Sequence, residues 1–210
     1  MTSAPTLTLF HAPNTRSTGT LLLLEELGAP YELQVIDMNA GEQRRPAYLA
    51  VNPMGKVPAL MHGDALITEQ VAIYIYLADL FPQVGLAPAL DDLLRGPYLR
   101  WLVFYGSCFE PAVVDRAMQR EPGPPAMSPY GDFDTMLGTL VGQLASGRWL
   151  LGDRFTAADL LWGTALEWMT NFKLVPELPE IVAYRDRVNA RPAVVRAKAK
   201  DAELVTAQGD

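Results

Sequence analysis

Asn52-Pro53-Met54-Gly55-Lys56-Val57-Pro58-Ala59-Leu60 is the stretch on which the fold turns. It is a Pro/Gly loop running into an apolar strand, with a proline at the strand's first position, where no ladder hydrogen bond is needed. Downstream, Pro58 to His62 and Ala65 to Thr68 flank Gly63-Asp64, a pair suited to a tight turn, so the segment predicts a β-hairpin. Gln70 to Phe81 then reads as a helix with Val71, Ile75 and Ala78 on one face. Upstream, Thr6-Leu7-Thr8-Leu9-Phe10 alternates at period two and predicts a strand. A polar loop, Ala12 to Arg16, leads into a helix from Ser17 to Leu27 stopped by Gly28. Tyr31 to Met38 reads as a strand, and Gly41 to Val51 as a short polar helix.

The resulting order, β-α-β-α-β-β-α, implies a mixed four-stranded sheet. Parallel strands need helical crossovers, while the last pair closes as a hairpin. This is the thioredoxin-like order, an α/β domain expected over residues 1–81. A Pro/Gly-rich linker follows at 82–90, and an all-α domain at 91–210. In the latter, Asp91 to Met118 reads as one long amphipathic helix that Pro111 bends or ends. Glu121 to Pro129 holds Pro122, Pro124, Pro125 and Pro129 and reads as loop. Helices are expected at Tyr130–Ser146, Ala157–Phe172, Leu178–Ala190 and Pro192–Leu204.

Composition narrows the function classes. The chain has 210 residues, 50% of them hydrophobic, so it can bury a sizeable core. Its net charge is -7 and no Lys/Arg-rich run stands out, which argues against nucleic-acid binding. The longest apolar run, Thr20 to Leu24, meets Glu25 and Glu26 and is too short to span a bilayer. Met1 to Pro5 carries no secretory signature, so a cytoplasmic location is expected. Cys108, the one cysteine, has no disulfide partner and reads as a small buried hydrophobe; with only His11 and His62, no metal site is expected.

The Asn52–Leu60 segment resembles the loop of glutathione transferases in which a cis-proline, here Pro58, precedes the third strand. In that family the preceding residue, Val57, offers its backbone N–H and C=O to the cysteinyl part of glutathione, a miniature β-augmentation. Lys56 would reach the glycyl carboxylate. Ile67-Thr68-Glu69-Gln70-Val71 resembles the family's segment at the start of the third helix, which holds the γ-glutamyl end. Glu69 would pair with the ammonium, and Gln70 stands where serine is common. A bare reading of Glu69 is a residue complementing the helix dipole.

The resemblance places the thiol-activating residue in Asn14-Thr15-Arg16-Ser17. Transfer to an electrophile needs the thiolate, which a hydroxyl donor and a helix start stabilise. Phe10 stands where tyrosine-type members carry their donor, and no cysteine occupies the loop. Ser17 is the first choice, with Asn14 and Thr15 close behind and Arg16 as a source of positive charge. Helix capping explains Ser, Thr and Asn equally well. Thr156-Ala157-Ala158-Asp159 resembles the family's helix cap in the all-α domain, a folding element. Aromatic residues Tyr98, Trp101, Phe104, Tyr105 and Phe109 recur on the long helix. Most read as core, with Trp101 and Tyr105 as candidates to line a hydrophobic substrate pocket.

The resemblance thus implies a glutathione S-transferase acting in detoxification. Glutathione would be its co-substrate and a small-molecule electrophile its partner; the protein would be a homodimer with no metal, nucleic-acid or membrane partner. Two alternatives stay open: glutathione-dependent reduction of disulfides or peroxides, and a non-catalytic glutathione-fold binding or regulatory protein.

Overall fold

The computed structural model describes residues 6–121 and 123–209. Met1–Pro5, read above for a signal, and Pro122 of the proline loop lie outside the described residues. The chain divides into two compact units, one of Met1–Phe81 with Arg191–Asp210, the other of Pro82–Ala190.

The first unit contains β1 (Leu7–His11), α1 (Ser17–Leu27), β2 (Glu32–Val35), α2 (Pro46–Leu49), β3 (Ala59–His62), β4 (Ala65–Ile67), α3 (Gln70–Leu80) and α9 (Pro192–Gly209). The sheet runs β2-β1-β3-β4, with β1 parallel to β2 and antiparallel to β3, and β3 antiparallel to β4. This is the mixed α/β sheet the sequence order implies. The short polar helix is interrupted: Arg45 is extended before Pro46, leaving a 3-10 turn at Glu42–Arg44 and a single α-turn. The buried face of α3 also differs, carrying Ile73, Tyr74, Leu77 and Ala78 rather than a stripe through Val71 and Ile75. Leu21 to Leu24 of α1 are all fully buried, because that helix lies inside the unit.

The last helix departs from the expected domain division. Residues 191–210 belong to the first unit, where α9 packs against α1 through buried Ala193, Val194 and Ala197. Arg191 pairs with Glu26, and Lys200 reaches Tyr31 at 2.7 Å. An apolar stripe on a terminal helix declares that something covers it, not which element does.

The second unit is all α: α4 (Arg95–Phe104), α5 (Glu110–Ala117), α6 (Phe133–Ala145), α7 (Ala157–Asn171) and α8 (Pro179–Asn189). Pro111, expected to bend or end the long helix, does not end it. A π-turn at Tyr105–Phe109 joins α4 to α5. Pro111 has no N–H for the carbonyl one turn before, and its ring crowds that carbonyl, so the helix widens just ahead of it. The α7–α8 pair approaches closely at Gly163, where a Cβ would lie 2.4 Å from that of Val188. No described helix is long and apolar enough to cross a membrane.

Candidate functional site

Three loops meet at one end of the sheet because the strand pairing requires it. Phe10 pairs with Ala59, so the exit of β1 lies beside the entry of β3; Leu60 pairs with Ile67, which brings the exit of β4 to the same edge. The segments at 12–17, 52–58 and 68–70 therefore converge.

The loop before β3 is built from the inside. Asn52 is buried; its amide donates to the Lys56 carbonyl at 2.9 Å and its Oδ1 accepts the Met54 N–H at 3.1 Å. The Tyr48 hydroxyl donates to the same Lys56 carbonyl at 2.6 Å, and burial pushes that phenol above its ordinary range. Gly55 sits at φ 59, and a Cβ there would lie 2.7 Å from the Gln43 carbonyl, so no other residue fits without a shift. The Val57–Pro58 bond is cis, as the resemblance implies. Among the described residues, the Val57 backbone N–H and C=O make no hydrogen bond. The Lys56 side chain is exposed beside them.

At the start of α3, Glu69 is exposed at φ 63 and its carboxylate has no partner among the described residues. A non-glycine residue there is held by its surroundings; the Glu69 carbonyl accepts the Ile73 N–H at 3.0 Å. Gln70 is placed differently from a ligand-facing donor. Its Nε2 donates to the Arg16 carbonyl at 3.1 Å and ties the start of α3 to that of α1.

The loop before α1 departs most from expectation. Ser17 is fully buried, and its hydroxyl lies 2.8 Å from His11 Nδ1, 2.7 Å from the Thr15 hydroxyl, 3.0 Å from the Ala12 carbonyl and 3.0 Å from the Ala12 N–H. Four internal partners leave it no approach to a thiol in solution, which corrects the choice of Ser17 as first donor. Thr15 is engaged too, donating to the Ala12 carbonyl at 2.7 Å and accepting the Ser17 N–H at 3.2 Å. Asn14 is different: it is exposed, sits at φ 54, and its side-chain amide has no partner among the described residues. Arg16 is exposed at the α1 N-cap.

Two residues the sequence reading passed over complete this loop. His11 is fully buried, with Nε2 2.8 Å from Asp201 Oδ1, close but not aligned as a hydrogen bond. Asp201, on α9, accepts the Asn14 backbone N–H at 3.1 Å and the Thr18 hydroxyl at 3.2 Å on both its oxygens. Signals for both were present. His11 falls on the buried side of β1 with Leu7 and Leu9, and Asp201 falls one turn beyond Ala193 and Ala197 on the buried side of α9. A polar residue on such a stripe needs an internal partner.

Trp101 and Tyr105 belong to the core of the second unit, which corrects their reading as pocket residues. Trp101 is 1% exposed and Tyr105 3% exposed, and both stack edge-on against Trp162. The Trp162 indole donates to the Trp101 carbonyl at 2.9 Å, and the Tyr105 hydroxyl finds Glu110 at 3.4 Å. Cys108, expected to be buried, is half-buried with its thiol 3.4 Å from the Pro129 carbonyl. Among the described residues, no cluster of His, Cys, Asp and Glu could hold a metal.

Residues 5–79 match the glutathione S-transferase N-terminal domain and residues 132–192 its C-terminal domain. The chain belongs to the glutathione S-transferase family. Glutathione S-transferase GstA of Escherichia coli O157:H7 is 31% identical over 189 residues, covering 89% of this chain and 94% of that protein. Glutathione S-transferase 2 of Schizosaccharomyces pombe is 32% identical and covers 94% of this chain and 95% of its own length. Among solved structures, a glutathione transferase from Methylococcus capsulatus superposes with TM-score 0.79 at 32% identity, covering 93% of this chain and 98% of that one. A sphingomonad glutathione S-transferase complexed with glutathione superposes with TM-score 0.76 at 31% identity, over 93% and 98% of the two chains. Within the glutathione S-transferase fold, then, this chain keeps the cis-proline loop and the acidic helix start, and fills the interior of its first loop with a His–Asp contact.

Proposed function

We propose that this chain binds glutathione at the converging loops of its first unit and transfers the thiolate to an electrophilic, hydrophobic small molecule. The observation that carries the reading is one end of the sheet presenting an unpaired backbone segment at Val57, an unpaired carboxylate and two helix starts. The cysteinyl backbone of glutathione pairs with the N–H and C=O of Val57, on the loop side of Pro58. Lys56 meets the glycyl carboxylate. The γ-glutamyl ammonium pairs with Glu69, and its carboxylate takes the N–H groups at the start of α3. The sulfur then lies at the start of α1, where the Asn14 amide donates to it and Arg16 adds positive charge. Loss of the thiol proton to solvent leaves a thiolate that forms the S–C bond as the leaving group departs with its electron pair. Ser17 and Thr15 shape the loop behind Asn14. The family resemblance further supports a homodimer working in the cytoplasm.

Titration calorimetry of glutathione into the protein and its Val57→Pro and Glu69→Ala variants tests the site. Binding that weakens sharply in both variants is the expected result. No saturation across the millimolar range in the parent protein would sink the reading. The engagement of Ser17 and Thr15 by internal partners favours one second reading, glutathione binding without turnover. A bound thiol that titrates like free glutathione would select it.

A further inference from the structure

We propose that Asp201, on the last helix, is a positioning residue that holds Asn14 in the conformation from which its amide meets the glutathione sulfur; this rests on the glutathione reading above. Asp201 is 5% exposed, and its polar contacts go to residues more than 180 positions earlier: His11, Asn14 and Thr18. All three bracket the turn from β1 into α1. Asn14 sits in the left-handed region at φ 54, which a non-glycine residue keeps only when its surroundings over-determine it. The bond from its N–H to Asp201 Oδ2 supplies that constraint from α9.

Packing alone does not call for a carboxylate here. The preceding buried positions of the same helix are Ala193, Val194 and Ala197, and an apolar residue would continue the stripe. Removing a carboxylate from water is unfavourable unless every lone pair finds a donor, and replacing such groups by apolar ones is often neutral for stability. What an apolar residue would not supply is an acceptor for the Asn14 N–H. His11 braces the arrangement from below, its Nε2 against Asp201 and its Nδ1 on Ser17, which ties the base of the same loop. The final helix thereby sets the geometry of the thiol-binding turn, although no residue of α9 is assigned a contact with glutathione.

The test is Asp201→Leu, read by glutathione affinity, by the pKa of the bound thiol from thiolate absorbance, and by kcat and KM with a chromogenic electrophile. Leucine continues the apolar stripe and offers the Asn14 N–H and the Thr18 hydroxyl no acceptor. The expected result is a raised thiol pKa and a kcat lower by on the order of tenfold, with glutathione affinity changed much less. A folded variant that binds glutathione with the parent's thiol pKa and kcat overturns this inference and leaves the binding site standing. A parent protein that does not bind glutathione overturns both. Should Asp201→Leu fail to fold, amide exchange at Asn14 in the parent protein decides. Exchange slowed about tenfold or more against open loop amides is expected, and exchange at the open-loop rate overturns the proposal.

Discussion

Helices α1 and α7 both begin in short polar segments, Asn14-Thr15-Arg16-Ser17 and Thr156-Ala157-Ala158-Asp159, and the two starts are satisfied in opposite ways. At α7 the capping partners are local. Asp159 reaches back to the Thr156 N–H at 2.8 Å and its hydroxyl at 3.0 Å, closing a capping box, and further takes the Leu150 N–H and the Tyr184 hydroxyl. Burial pushes the Asp159 carboxyl up while these four donors pull it down. At α1 the cap residue makes no side-chain cap bond; the Ser17 hydroxyl turns inward to His11, the Thr15 hydroxyl to the Ala12 carbonyl, and the carboxylate comes from position 201. A start that satisfies itself leaves nothing for a ligand. One satisfied from behind can hold an exposed residue such as Asn14 in an unusual conformation facing outward.

The comparison makes Asp159→Ala the most damaging substitution. Several buried donors lose their acceptor at once, so unfolding in urea should show a loss of about 3–5 kcal/mol, with glutathione affinity of the folded fraction unchanged. A loss below about 1 kcal/mol would mean the cap is ornamental and the contrast with α1 is empty.

Asn14→Gly attacks the other start. Glycine accepts the left-handed conformation, so stability should move by no more than about 1 kcal/mol. The kcat should fall on the order of a hundredfold, as when one donor to a developing anion is removed. Steady-state kinetics beside a melting curve give both numbers, and an unchanged kcat would return the donor role to Thr15 or Arg16.

Ser17→Ala should be the mirror image. It leaves His11 Nδ1 and the Ala12 N–H without a partner and should cost about 1–3 kcal/mol, with a smaller effect on the bound thiol than Asn14→Gly. A folded, equally stable variant with a collapsed rate would make Ser17 the donor and break the comparison.

The smallest effect is expected at a third helix start. Asp132 caps α6 by accepting the Thr135 N–H at 2.7 Å, and that bond holds its carboxyl below the ordinary carboxylate range. A depressed folded-state pKa stabilises above the unfolded value and loses that contribution as pH falls through the folded one. The melting-temperature gap between the parent protein and Asp132→Ala should therefore be widest near neutrality and close below about pH 4. A gap that widens in acid would contradict the assignment.

The first unit was legible wherever the determinants are close in sequence. Ser17 and Leu27 bound α1 as read, with Gly28 in the left-handed conformation after it. The Gly63-Asp64 turn joins β3 to β4, and Val57–Pro58 is cis. The capping box of α7 spans four residues and was equally visible. Less legible were features fixed by crowding. Trp101 and Tyr105 look alike on a helix whether they face a pocket or a core, and only Trp162, some sixty residues on, decides between them. The widened turn before Pro111 likewise answers to a steric conflict that periodicity does not register.

By itself the sequence determined the order of strands and helices, the loop before β3, the acidic start of α3 and the family to which these point. Each depends on turn chemistry, helix capping or period, which act over a few residues. Only the tertiary structure decided that 191–210 joins the first unit, that Ser17 faces inward and Asn14 outward, and that Asp201 accepts the Asn14 N–H across 187 positions. Buried polar groups must be paired, and sequence shows that a partner is needed. Which of many candidates supplies it is settled by how the chain folds back.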